Sequence, residues 1–399
     1  MEFESSQAAA IRLNVNVRTV QKWAKEGKIP RAKQVGRTWM IPTNIQGPTE
    51  NALPSLNESE IKKKRDHITS LLNSSFVPGH CWEYIESIPD DDERTIVMGE
   101  YYYYSGQSEK AVELVEEYLE HEDMILALFA CKVYILATLG LGGEGKKTHL
   151  THRCMDYTKN YVGDILNSEC DSETRAAAIF IMRNIAVLLH IPTTNIPPLE
   201  EELAYLPDGI KLFGTYILAH EAYLMKEYER SLGIAQTALL FIKETYPMAE
   251  MYLNLIVSVN LIILRRSKEA KKYFEQAWQL ARQDKLIQSF AEHHGILHGM
   301  IELCMKKQWP DDFKKITGEA KYFNKGWVKI HNYETGRLVT DRLTTTEFSI
   351  AMLYNKGWSV KEISAHIEMS ERSIKHHISV IYEKLGISSR NELTDFMQY

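Results

Sequence analysis

From Ile61 to about Tyr333, apolar residues recur at three- and four-residue spacing in a background of Leu, Ala, Glu, Lys and Tyr. That is the helix period, so most of this 399-residue chain must fold as packed helices rather than as a sheet. The composition differs on either side of the run. Thr43 to Glu60 is rich in Pro, Gly, Asn and Ser, as a linker is, and the pattern tightens into short helices after Gly336. The expected units are residues 1–43, a linker at 44–60, a helical region at 61–335, and a last unit at 336–399.

The helical run contains a weak repeat. Ala111, Val115 and Tyr118 follow a turn at Ser105–Gly106. Ser231, Ala235 and Ala238 follow one near Lys226, and Ala270, Phe274 and Ala277 follow one near Arg265. Small residues flanking a larger one let two antiparallel helices approach closely while the larger side chain fills the gap. Ser231 and Ala270 are 39 residues apart, about one helix pair. This resembles tetratricopeptide repeats, whose consensus has Ala, Phe or Tyr, and Ala at these offsets. The resemblance implies an α-solenoid, although Gly140–Pro207 fits it poorly.

At the C-terminus, Leu343-Thr344 with Glu347 precedes an apolar helix ending at Gly357. Ser359 with Glu362 forms a capping box, Ser370 caps the next helix and Gly386 ends it. That helix has a polar N-terminal side and an apolar rear of Ile374, Ile378, Ile381 and Leu385, as a DNA-reading helix needs. Lys361-Glu-Ile-Ser, Ser370 with Ser373-Ile374-Lys375 and His377, and Lys384-Leu-Gly complete a pattern that resembles the LuxR/NarL-type helix-turn-helix. The resemblance implies that Lys375, His376 and Ser379 face base edges, and that Lys361, Arg372 and Ser373 hold phosphates. It gives Glu347 and His377 structural roles and pairs the last helix, Asn391–Tyr399, with its twin in a homodimer. A helical cap that closes the solenoid is the competing reading.

The first 43 residues carry Thr19-Val20 with Trp23, Gly27-Lys-Ile-Pro30, and Gly36-Arg-Thr-Trp-Met-Ile-Pro42. Two short helices and a hairpin centred on Gly36 follow from that pattern, with Asn16 as a cap. The segment resembles the excisionase or MerR-type winged helix-turn-helix. By that resemblance Arg18, Gln21 and Lys22 enter a groove, and Lys33 and Arg37 on the wing reach phosphate or the minor groove. A small basic module docked on the acidic helical region is the competing reading.

Charge is distributed unevenly. The net value is −6, but residues 1–46 carry +5, residues 340–399 are close to neutral, and the middle holds about −10. The near-neutral C-terminal unit is the best argument against DNA binding there, because phosphate contacts dominate affinity. Cys81, Cys131, Cys154, Cys170 and Cys304 show no paired spacing and read as reduced thiols in a cytoplasmic protein. The acidic, polar start does not read as a signal peptide. The longest apolar stretch, around Leu255–Leu264, is interrupted by Ser258 and Asn260 and falls short of the ~20 residues a bilayer span needs.

Other motifs carry less. Gly140 to Thr148 lacks the Ser or Thr that a phosphate loop needs directly after its Lys. His149, His152 and Cys154, or His294 and His298, are incomplete as metal sites, and the histidines read as surface or groove residues. No nucleophile and base pair suggests catalysis. The expectation is therefore a mainly α transcription regulator binding double-stranded DNA, neither enzyme nor membrane protein, without cofactor or metal. A small-molecule or peptide effector in the solenoid would control it. A scaffold recruiting a protein partner to DNA is the alternative.

Overall fold

A computed structural model of the chain describes residues 3–13, 15, 17–25, 29, 32–35, 38–43, 69–142, 146–189, 196–331 and 343–396. It is mostly helical, with a small three-stranded sheet near the N-terminus.

That sheet has β1 (Phe3–Ser5) and β2 (Lys33–Val35) on either side of β3 (Thr38–Pro42), both pairings antiparallel. Glu4 pairs with Ile41, and Gln34 with Trp39. β1 was not expected from the sequence. Ser5 ends it and caps α1 (Ser6–Arg12) by accepting from the Ala8 amide at 3.2 Å. α2 (Val17–Lys25) buries Val20 and Ala24 in a core with Ala9, Ala10, Ile29, Ala32 and Ile41. Asn16 and Gly36 lie outside the described residues.

The helical region opens with α3 (Cys81–Glu86), α4 (Asp91–Tyr104), α5 (Ser108–Val115) and α6 (Met124–Gly140). Then come α7 (Lys146–Leu166), α8 (Ser172–Leu189), the short α9 (Leu199–Glu202) and α10 (Asp208–Leu224). It continues through α11 (Tyr228–Leu240), α12 (Pro247–Ile263), α13 (Ser267–Ala281), α14 (Gln288–His293), α15 (Met300–Met305) and α16 (Pro310–His331). Asp90 caps α4, with three acidic residues in the first turn where the helix dipole favours them. Successive helices pack on each other, most extensively α10 on α11, α11 on α12 and α12 on α13. Ala270, Phe274 and Ala277 of the clearest repeat are all buried, as close helix approach requires.

α6 is buried along its whole length, including Lys132. Its ammonium lies 2.5 Å from Glu100 of α4, whose carboxylate also accepts from Ser70 Oγ and the Leu71 amide. A buried charge is tolerable only when paired and bonded in this way. α16 crosses α6 at Gly326, where a Cβ would stand 2.4 Å from the Leu139 carbonyl oxygen.

The last four helices are α17 (Thr345–Asn355), α18 (Val360–Ile367), α19 (Glu371–Leu385) and α20 (Arg390–Phe396). Their buried residues belong to one apolar cluster with the helical region, whereas the N-terminal core is separate. Among the described residues, no helix is long and apolar enough to cross a membrane.

Candidate nucleic-acid interface

The C-terminal helices are set by local chemistry. Thr344 and Ser359 each form a full capping box, with Glu347 and Glu362. Glu368 ends α18 in the left-handed region (φ 56°). The break is closed by Ser364, whose hydroxyl donates to the Met369 carbonyl at 2.5 Å. Ser370 then caps α19 by accepting from the Ser373 amide, and Gly386 (φ 70°) ends it.

α19 packs against both α17 and α18, burying Ile374, Ile381 and Leu385. The opposite face is exposed and carries Arg372, Lys375, His376 and Ser379, which share one side at spacings of three, four and seven. Lys361 is exposed in the first turn of α18. Among the described residues, Lys361, Arg372 and Lys375 have no carboxylate partner. Ser379 donates to the Lys375 carbonyl at 3.1 Å. Ser373 shares a hydrogen bond with the Ser370 hydroxyl at 2.9 Å and is half-buried, which gives it a capping role alongside any phosphate contact.

Glu347 is buried and accepts from Lys384 Nζ at 2.9 and 2.7 Å, tying the start of α17 to the end of α19. Burial raises its pKa, but the bonds from Lys384 and the Thr344 amide outweigh this and hold the carboxyl below its usual range. His377 is half-buried, and its pKa is lowered chiefly by burial.

In the N-terminal unit, Arg18, Gln21 and Lys22 lie exposed on one side of α2, opposite buried Val20 and Ala24. Lys33 is exposed on β2, with its ammonium 4.7 Å from the centre of the Phe3 ring. Arg37 lies outside the described residues.

A seam joins the C-terminal helices to the helical region, and sequence reasoning missed it. The Arg265 guanidinium stacks 3.9 Å over Trp358 and lies 3.7 Å from Glu362. His366 bonds Ser267 Oγ and the His298 carbonyl, both at 2.9 Å, and Ser349 reaches Glu302 at 3.4 Å. Phe348 stacks on His294. Gly299 (φ 88°) allows the approach, since a Cβ there would sit 3.3 Å from Ile367. The expectation that His294 and His298 lie at the surface or in a groove is therefore wrong: both are buried in this seam. Helical i, i+4 spacing could have suggested a contact face, but nothing local names its partner. Among the described residues, no group of three or more His, Cys, Asp or Glu side chains could hold a metal ion.

Residues 341–397 match the family described as "Bacterial regulatory proteins, luxR family", and residues 5–44 match "Helix-turn-helix domain". No curated protein and no solved structure matches the chain. The capped helices and exposed polar face agree with those two matches: the chain carries a LuxR-family helix-turn-helix domain at its C-terminus and a second helix-turn-helix domain at its N-terminus.

Proposed function

We propose that this protein is a sequence-specific transcription regulator whose helix α19 reads bases in the major groove through Lys375, His376 and Ser379. Lys361, Arg372 and Ser373 hold the flanking phosphates. The observation that carries this reading is the exposed polar face of α19, whose Arg372 and Lys375 have no carboxylate partner among the described residues, with its apolar rear held by α17 and α18. Arg18, Gln21, Lys22, Lys33 and Arg37 form the N-terminal reader, and the +5 charge of residues 1–46 supports it. Pairing of α20 with its copy would give a homodimer, and the chain acts in the cytoplasm without catalysing a reaction.

The tetratricopeptide-like helical region holds the effector. A groove of about 800 Å³ between α10 and α11, lined by Leu212, Thr215, Ile234, Thr237, Phe241 and Tyr246, has the size and mixed lining of a small-molecule or peptide site. Exposed Leu240 and Phe241 at the end of α11 favour the second reading, a scaffold that brings a protein partner to DNA.

The test is the double change Lys375→Ala with His376→Ala in the full chain, scored on a duplex selected from a random library. Sequence preference should disappear with helix content unchanged. Retained preference would refute the assignment. A ligand that raises thermal stability supports the effector reading, and a stoichiometric protein partner supports the scaffold.

A further inference from the structure

Between the helical region and α17 lies a chamber of about 50 Å³, enough for a molecule little larger than a water, whose share of the liquid is about 30 Å³. Its apolar walls are Leu188 of α8, Phe323 of α16, and Phe348 and Met352 of α17. Its polar side comes from α10 and α14, and it is made of acceptors. Burial holds His293 neutral, with a pKa of about 4, and its Nδ1 donates to the Ser289 carbonyl at 2.8 Å. Its other nitrogen therefore accepts from the Tyr216 hydroxyl at 3.0 Å. That hydroxyl accepts in turn from His220 Nδ1 at 2.8 Å, which makes the second nitrogen of neutral His220 an acceptor too. Glu292 accepts from Tyr103 on one oxygen and from Tyr252 on the other, and each oxygen keeps a lone pair. Glu292 retains accessible surface although burial dominates its environment, as a carboxylate bordering a cavity does. Among the described residues it has no ion pair: Lys132, whose charge acts on it, is bonded to Glu100.

We propose that this chamber binds a small ammonium cation, ammonium itself or methylammonium, with Glu292 as its counter-ion and Phe323 and Phe348 as aromatic walls. N–H donors match a surface of acceptors, and a positive charge suits both a carboxylate without an ion pair and neighbouring aromatic rings. A metal ion fits less well, since no group of three or more His, Cys, Asp or Glu side chains among the described residues could hold one. Phe348 and Met352 belong to α17, so the site exists only while the C-terminal helices are docked. A bound cation therefore fastens them to the helical region. The chamber shares no lining residue with the groove between α10 and α11, and the inference does not depend on α19 reading bases.

The test is hydrogen exchange at the α17 amides of the full chain in chloride salts of equal ionic strength. It is run at pH 8, where the Glu292 carboxyl, pushed up to about 7 by burial, is ionised. At ten times its dissociation constant, ammonium or methylammonium should raise protection about 11-fold over sodium. Potassium, which brings charge without N–H donors, should match sodium. Glu292→Gln should remove both responses. Gly295→Ala leaves every charge in place and puts a Cβ 3.4 Å from the Phe348 ring across the chamber, so it should remove the response to methylammonium, the larger ion. Equal protection in ammonium, potassium and sodium salts overturns the proposal. So does a response that survives Glu292→Gln, or a methylammonium response that survives Gly295→Ala.

Discussion

Acidification should open the seam between the helical region and the C-terminal helices, and His298 is the residue that makes this measurable. It sits at the N-terminal end of α15 in the left-handed region (φ 48°), with its side chain fully buried. Burial, then the nearby cationic groups Lys356 and His366, push its pKa down to about 3. His294, Glu302 and Arg265 are the other titratable groups around this face. The closed seam therefore holds a neutral ring. Once opened, the ring regains its ordinary value of 6.5 and takes a proton. Above about 6.5 neither state is protonated and stability is intact, and below it stability is lost progressively toward pH 3. Between pH 7 and pH 5 the loss from this one group is about 2 kcal/mol, or about 30-fold in the opening equilibrium. His366, also lowered mainly by burial, adds loss of the same sign. Hydrogen exchange at the α18 amides reads the opening directly. His298→Asn is the matched control, since Asn tolerates left-handed backbone and does not titrate. The parent chain should lose about 30-fold more protection than the variant over this range. Equal losses in the two proteins would refute the reasoning.

Glu292, whose carboxylate accepts from Tyr103 and Tyr252, is pushed up to about 7 by burial, so its slope has the opposite sign. Its contribution is complete below its ordinary 4.5 and fades as pH rises through 7. In urea unfolding at pH 5 and pH 8, Glu292→Gln should remove a pH-dependent loss of up to about 3 kcal/mol. Lys132→Met leaves the Glu100 carboxylate buried without its ammonium and should cost about 3–5 kcal/mol in the same assay. Adding Glu100→Gln should recover part of that. Gly326→Ala would drive a Cβ into the backbone of α6 at Leu139, and should cost at least about 3 kcal/mol and lower the melting temperature. Wild-type stability in either of these last two variants would contradict the packing described.

What the sequence disclosed was local. Ser359 with Glu362, Ser370 and Gly386 mark helix ends through bonds that span three or four residues, and each lies where the pattern puts it. The buried face of α19 follows from a period that any window of the chain displays. β1 escaped notice because Phe3-Glu4-Ser5 is too short for an alternation to register. The seam escaped for a different reason: His298 and His366 are 68 residues apart, and their contact depends on how α15 and α18 dock. A histidine that will be buried by a distant helix has the same local sequence as one that will face water.

The composition of that seam explains why it is the place to probe. Phe348, Met352 and Ile367 supply apolar contact, as a permanent core does. Beside them, His294 Nδ1, both ring nitrogens of His298 and Glu302 Oε2 are buried without a hydrogen-bond partner among the described residues. A buried polar atom that makes no hydrogen bond costs about 1–3 kcal/mol. Opening the seam exposes these atoms to water, which works against the apolar contacts that close it. The joint should therefore open before α12 separates from α13, which hydrogen exchange would show as lower protection in α18 than in α12. Arg265 and Ser267, at the start of α13, are the points at which the helical region grips the C-terminal helices, beside the buried ring of His298.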